Sequence, residues 1–270
     1  MTKISFKISY HNGTATDGQL DMYDAALSLQ GFARALAITS HALLNDGEVR
    51  KKGNRLEGGR LYLHPPRHGS FETLVTFVIT NKEAIGASIA AAAFYDILKW
   101  TWSSTLGLIY QPQTPHVLRL RDRIDPFIGE IEEALEVPLE LAHRPIRNDE
   151  EMEISIVRPR IGTIITLDSE TLRNVSLTTD PEIDNTITGN VTRYNILSGF
   201  GRLYDDRQEK TISFVLHDDV TSAQKQMLTW SMHHAQGGNG GKLKLSVQRV
   251  LTGNGTVKRY LIREVEIIES

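Results

Sequence analysis

No cysteine occurs anywhere in the 270 residues. This excludes disulfides, thiolate metal sites and a cysteine nucleophile, and it fits a reducing, cytoplasmic setting. Aromatic residues make up only 7% of the chain, so a surface built on stacked rings has few rings to draw on. Neither sign of charge dominates: the formal net charge is −3. A molecule-wide affinity for polyanions is therefore not expected. The opening segment MTKISFKISY alternates polar and apolar residues. It lacks the continuous apolar stretch of a secretory signal.

Catalytic signatures are missing as well. There is no G-x-S-x-G elbow and no H-E-x-x-H pair. GGNGGK at 237–242 has Gln236 where a phosphate loop needs its first glycine, and Leu243 where it needs Ser or Thr. His233 and His234 are adjacent, so on a helix they point to different sides instead of converging as an i, i+4 ligand pair. His64, Arg67 and His68 cluster in a proline-bearing turn with no third metal ligand beside them. No catalytic residue, metal or cofactor is expected, and the chain reads as non-enzymatic.

No uninterrupted membrane-length run is present either. The most apolar stretch follows a Thr80–Glu83 capping box. Asp96 and Lys99 interrupt it short of the ~20 apolar residues that a span requires. A helix over 84–104 is predicted, with a narrow polar stripe. Its small residues Gly86, Ala87, Ala90 and Ala91 suit close packing in a core or a homo-oligomer contact. Membrane insertion is disfavoured.

A hydrophobic content of 40% is ample for a core. Ile4, Phe6, Ile8 and Tyr10 alternate with polar residues as one strand. Asp21 caps a helix that ends at Asn45-Asp46-Gly47. Strands at 60–64 and 70–80, the 84–104 helix and a helix over 125–142 complete a β-α-β-β-α-α unit. Pro126 suits the first turn of that last helix, and Glu130, Glu132, Glu133, Glu136 and Glu140 are expected on its solvated face. The charged segment HRPIRNDEEME at 143–153 reads as a boundary between an α+β domain over 1–147 and a β-barrel domain over 154–270. Residues 1–185 hold 19 Lys+Arg against 25 Asp+Glu, and 186–270 hold 11 against 8. The mild basic excess of the second part is compatible with nucleic acid.

The barrel domain runs as three short strands near 190–195, 199–204 and 211–217, a helix to about Ala235, and a hairpin turning at Thr252–Gly255. That order is the Greek-key pattern of an OB-type barrel. Gly189-Asn190-Val191-Thr192-Arg193-Tyr194-Asn195 and Ser198-Gly199-Phe200-Gly201-Arg202-Leu203 resemble the first two strands of cold-shock domains, G-x-V-K-W-F-N and K-G-F-G-F-I. Ile212-Ser213-Phe214-Val215-Leu216 falls where that family has V-F-V-H. The resemblance covers about 80 residues and implies a face for single-stranded DNA or RNA, where rings stack bases and cations follow the backbone. Carried over by position, the face comprises Arg193, Tyr194, Phe200, Arg202 and Phe214, with Lys244 beyond them. Arg193, Arg202 and Leu216 stand where the family has tryptophan, phenylalanine and histidine. Two readings stay open. In one, arginines serve the nucleic acid by stacking and phosphate contact together. In the other, the barrel is a sensor, adaptor or structural module that docks protein.

Overall fold

The computed structural model describes residues 2–50, 56–64, 71–80, 87–122, 127–236 and 240–268. Residues 81–83 of the Thr80–Glu83 cap, Pro126, Arg67 and His68, and the glycines at 237 and 238 belong to segments beyond those residues. The chain divides into two compact units, residues 1–122 with 131–176, and residues 123–130 with 177–270.

The first unit contains strands β1 (Thr2–His11), β2 (Gly59–Leu63), β3 (Glu72–Ile79), β4 (Glu153–Arg158) and β5 (Gly162–Leu167). They form one antiparallel sheet in the order β2-β3-β1-β4-β5. A 3-10 turn at Gly13–Asp17 precedes helix α1 (Met22–Leu44), and α2 (Ala87–Thr105), α3 (Pro115–Arg121), α4 (Phe127–Ala142), α5 (Arg144–Asn148) and α6 (Ser169–Val175) follow in the chain. The alternation of β1 is realised: Ile4, Phe6, Ile8 and Tyr10 are buried. The Asp21 carboxylate caps α1 by accepting from the amides of Tyr23 and Asp24, both at 2.9 Å.

Helix α2 places Phe94 against Phe6 and Phe77, with ring centroids 5.7 and 5.2 Å apart. Trp102 stacks on Phe32 and donates to Thr39 Oγ1 at 2.9 Å. The two largest contacts of α2, Phe94 and Trp102, are thus made within its own unit. No helix among the described residues is long and apolar enough to cross a membrane.

The boundary lies later than the charge pattern suggests. Residues 143–153 are not a linker. Ile146 of α5 is fully buried, and Arg144 and Asn148 both donate to the buried carboxylate of Asp24, at 3.0 and 2.5 Å. The charges that look like a solvated hinge are thereby tied to the start of α1. Strands β4 and β5 then extend the sheet beyond β1, and the division falls after Ser176. On α4, Glu136 is buried and Val137 is exposed, so the carboxylate row is not wholly a solvated face.

His143 is fully buried. Its Nδ1 lies 2.7 Å from the Leu139 carbonyl and must donate to it, leaving Nε2 to accept from the Thr171 hydroxyl at 2.9 Å. Burial pushes its pKa down to about 4. The folded unit therefore keeps this ring neutral while the unfolded chain protonates near pH 6.5. Stability from this group is complete above pH 6.5 and is lost as the pH falls toward 4, by up to about 3 kcal/mol. Urea unfolding between pH 7.5 and 4 should show that slope, and His143→Gln should flatten it by up to one proton.

The second unit contains β6 (Thr178–Tyr194), β7 (Gly201–Asp205), β8 (Lys210–Leu216), α7 (Ser222–Gln236), β9 (Leu243–Leu251) and β10 (Val257–Ile267). The strands close into a barrel in the order β10-β8-β7-β6-β9. The β8–β10 pair is parallel and the other pairs are antiparallel. This is an OB-like barrel with a helix between its third and fourth strands. Thr221 and Gln224 form a reciprocal cap at the start of α7. That helix buries Leu228 and Ser231 and leaves Ala223 exposed.

Candidate nucleic-acid interface

The expected interface depends on which way the rings of the first three barrel strands point. Phe214 on β8 is 0% exposed and belongs to the barrel core with Val191, Leu203, Leu228 and Tyr260. Its ring lies over Gly201, where a Cβ would overlap Phe214 Cζ and approach the Arg193 carbonyl oxygen to 2.7 Å. Phe200 is 1% exposed. It rests on the bare backbone of Gly129, a residue of the same unit, where a Cβ would likewise overlap the ring. Tyr194 is half-buried and stacks on Phe214 at 6.1 Å; burial raises its pKa. The three rings therefore do not form an outward platform. The glycine on either side of Phe200 does not lift it into solvent. Gly201 instead makes room for a neighbouring core ring.

The two arginines are placed differently. Strand β6 carries a bulge between Val191 and Arg193, so that Arg193 rather than Thr192 pairs with Arg202 on β7. Strict alternation from the buried Val191 would turn Arg193 inward. The extra residue re-aims it to solvent. The amide that the bulge leaves at Val191 donates to Ser231 Oγ of α7 at 3.1 Å, and that hydroxyl donates to the Gly241 carbonyl at 2.6 Å. The Val191 amide beside the irregularity is thus satisfied by a side chain of α7.

Across the barrel wall, Arg202 is in register with Ser213 on β8, and Ser213 with Arg259 on β10, a buried position. One residue-pair away, Tyr204 of β7 lies between Asn190 and Thr211 and is 39% exposed. The sequence comparison passes over this ring, although its period-two spacing from Arg202 would have found it.

Several other cations of the unit are neutralised. Lys242 pairs with Asp206, Arg249 with Asp184, and Arg263 with Asp219. Lys244, expected at the interface, sits opposite Glu266 on β10 with its Nζ 3.8 Å from that carboxylate. Among the described residues no carboxylate pairs with Arg193 or Arg202. Residues 177–270 carry 11 basic and 11 acidic side chains, because Asp180, Glu182 and Asp184 belong to β6. The basic excess read from 186 onward is therefore local, not a property of the unit.

The loop between β6 and β7 is pinned. Asn195 Nδ2 and Ser198 Oγ both donate to Glu130 Oε1, at 2.5 and 2.6 Å, and Asn195 Oδ1 accepts from the Leu197 amide at 2.9 Å. The loop presents Ile196 and Leu197, 71% and 93% exposed. No group of three or more His, Asp or Glu side chains among the described residues is arranged to hold a metal.

Neither the curated proteins nor the solved structures hold a match to the chain. The family model described as "Family of unknown function (DUF7947)" matches residues 185–266, nearly the whole barrel. The model described as "Domain of unknown function (DUF7946)" matches residues 6–176, a span that ends where the first unit ends. On that match, which covers more than half of its length, the chain belongs to the DUF7946 family.

Proposed function

We propose that the second unit binds single-stranded nucleic acid, gripped by its phosphates, across the outer face of β6, β7 and β8. One observation carries the reading. Arg193 and Arg202 are cross-strand partners on that face, with no carboxylate pairing with either among the described residues. Like charges directly opposite one another on a sheet are destabilising, and the barrel core gains nothing from them. A phosphate backbone relieves the repulsion. Guanidinium groups can also stack on bases while they bind phosphate. Tyr204 supplies an exposed ring beside them. The cold-shock-like order of motifs supports the same face, with the binding moved from phenylalanines to arginines.

The test is a titration of labelled single-stranded DNA and RNA at two salt concentrations. Wild-type affinity should fall steeply with salt. Arg193→Ala/Arg202→Ala should weaken binding to every sequence and lower the log–log salt slope by about 1 per arginine. Tyr204→Ala should lose ~1–3 kcal/mol that Tyr204→Phe retains. Absence of binding near micromolar at low salt, or an unaffected double variant, overturns the reading. The exposed Ile196-Leu197 tip on its pinned loop then favours the adaptor reading, a barrel that docks a protein.

A further inference from the structure

A second candidate site lies in the first unit and does not depend on the barrel. A cavity of about 310 Å³ is lined by Tyr95, Asp96 and Lys99 of α2, by Tyr110 and Thr114 after that helix, and by Arg158 at the end of β4. Both rings are held in place. The Tyr95 hydroxyl donates to the Ser5 carbonyl at 2.7 Å, and the Tyr110 hydroxyl donates to Asp96 Oδ1 at 2.8 Å. Each ring carries a cation on its face. The Arg158 guanidinium carbon is 4.4 Å from the Tyr95 centroid, and Lys99 Nζ is 4.9 Å from the Tyr110 centroid.

A ring holds a cation through its quadrupole and has no net charge with which to neutralise it. Neither Lys99 nor Arg158 makes an ion pair among the described residues. The one carboxylate in the cavity wall is already occupied: Asp96 accepts from the Tyr110 hydroxyl, the Gln113 and Thr114 amides and the Thr114 hydroxyl. Those donors are neutral, so Asp96 keeps its charge and the named lining is +1 overall; the cavity offers two ring-held cations outside any ion pair, a flat guanidinium fork and a point-like ammonium. That combination matches an oxyanion, with the fork taking two oxygens and the lysine adding charge. The volume lies at the small end of ligand pockets, so a compact molecule fits and a polymer does not.

We propose that this cavity binds a small, multiply charged oxyanion, a phosphate or carboxylate compound, between Lys99 and Arg158. Inorganic pyrophosphate and citrate serve as probes on the full chain at low ionic strength, followed by calorimetry and by thermal shift. The expected result is saturable binding of at least one probe, which also tells phosphate from carboxylate preference. Lys99→Gln and Arg158→Gln, both at half-buried positions, should each weaken it tenfold or more. Arg193→Gln/Arg202→Gln should leave it unchanged, which separates this site from the barrel face. Circular dichroism melts confirm that the variants fold. If neither probe binds at millimolar concentration, or if folded Lys99→Gln and Arg158→Gln bind as the wild type does, the proposal is overturned.

Discussion

Phe214→Ala is expected to destabilise the barrel by about 3–5 kcal/mol, the usual cost of emptying a phenylalanine-sized space in a core. The ring is fully buried, stacks with Tyr194 and fills the space above Gly201. A unit of this size has only about 5–15 kcal/mol in total. Two units need not unfold in one step, so a global melt would blur the effect. Hydrogen exchange followed by mass spectrometry on the β8 and β10 peptides reads it locally, and protection should fall by about a hundredfold or more. Gly201→Ala should act in the same direction, since its Cβ has no room between the Phe214 ring and the Arg193 carbonyl. A folded Phe214→Ala barrel with wild-type protection and lost ligand binding would show instead that the ring serves a surface.

Asp96→Ala should cost the first unit at least about 3 kcal/mol. The carboxylate is buried, and its removal leaves the amides of Gln113 and Thr114 and the Tyr110 hydroxyl without their acceptor. Hydrogen bonds to a charged group contribute ~1.5–3 kcal/mol each, and an orphaned buried donor carries its own penalty. Asp96→Asn retains one acceptor oxygen and should cost less. Denaturant titration ranks the variants, and exchange at residues 108–114 should rise most. A loss under about 1 kcal/mol for Asp96→Ala would mean that solvent replaces the carboxylate and that the segment after α2 is not held by it.

Where a local signal coincides with the final packing, the sequence is legible. Strand β1 packs one face on a core, so its alternation is plain, and Asp21 announces α1 by its own cap. The barrel order follows from short strands, turn residues and one helix. Elsewhere the deciding partner is distant. The charges of 143–153 look solvated because Asp24, which receives Arg144 and Asn148, is about 120 positions earlier. The polar start of β6, Asp-Pro-Glu-Ile-Asp-Asn, does not read as a strand; it is held there by β9, where Gln248 donates to the Asp180 carbonyl at 3.1 Å. Helix α6 is marked by an Asp168–Thr171 capping box rather than the Ser/Thr-to-Glu pattern sought in sequence. At the candidate interface, Arg193 is exposed and Arg202 half-exposed, whereas Phe200 and Phe214 are buried. A glycine some 70 positions away receives one ring, and a bulge stabilised by Ser231 reverses the side on which Arg193 emerges.

Closure of the barrel limits how it can be used. β7 is paired with β6 and with β8 along its whole length, so at the centre of that face no backbone row is left for an incoming chain to extend. Whatever is recognised there must be held by side chains and loop tips alone. Its preferences can therefore be rewritten by substitution at the outward positions while the hydrogen-bonded frame beneath remains the same.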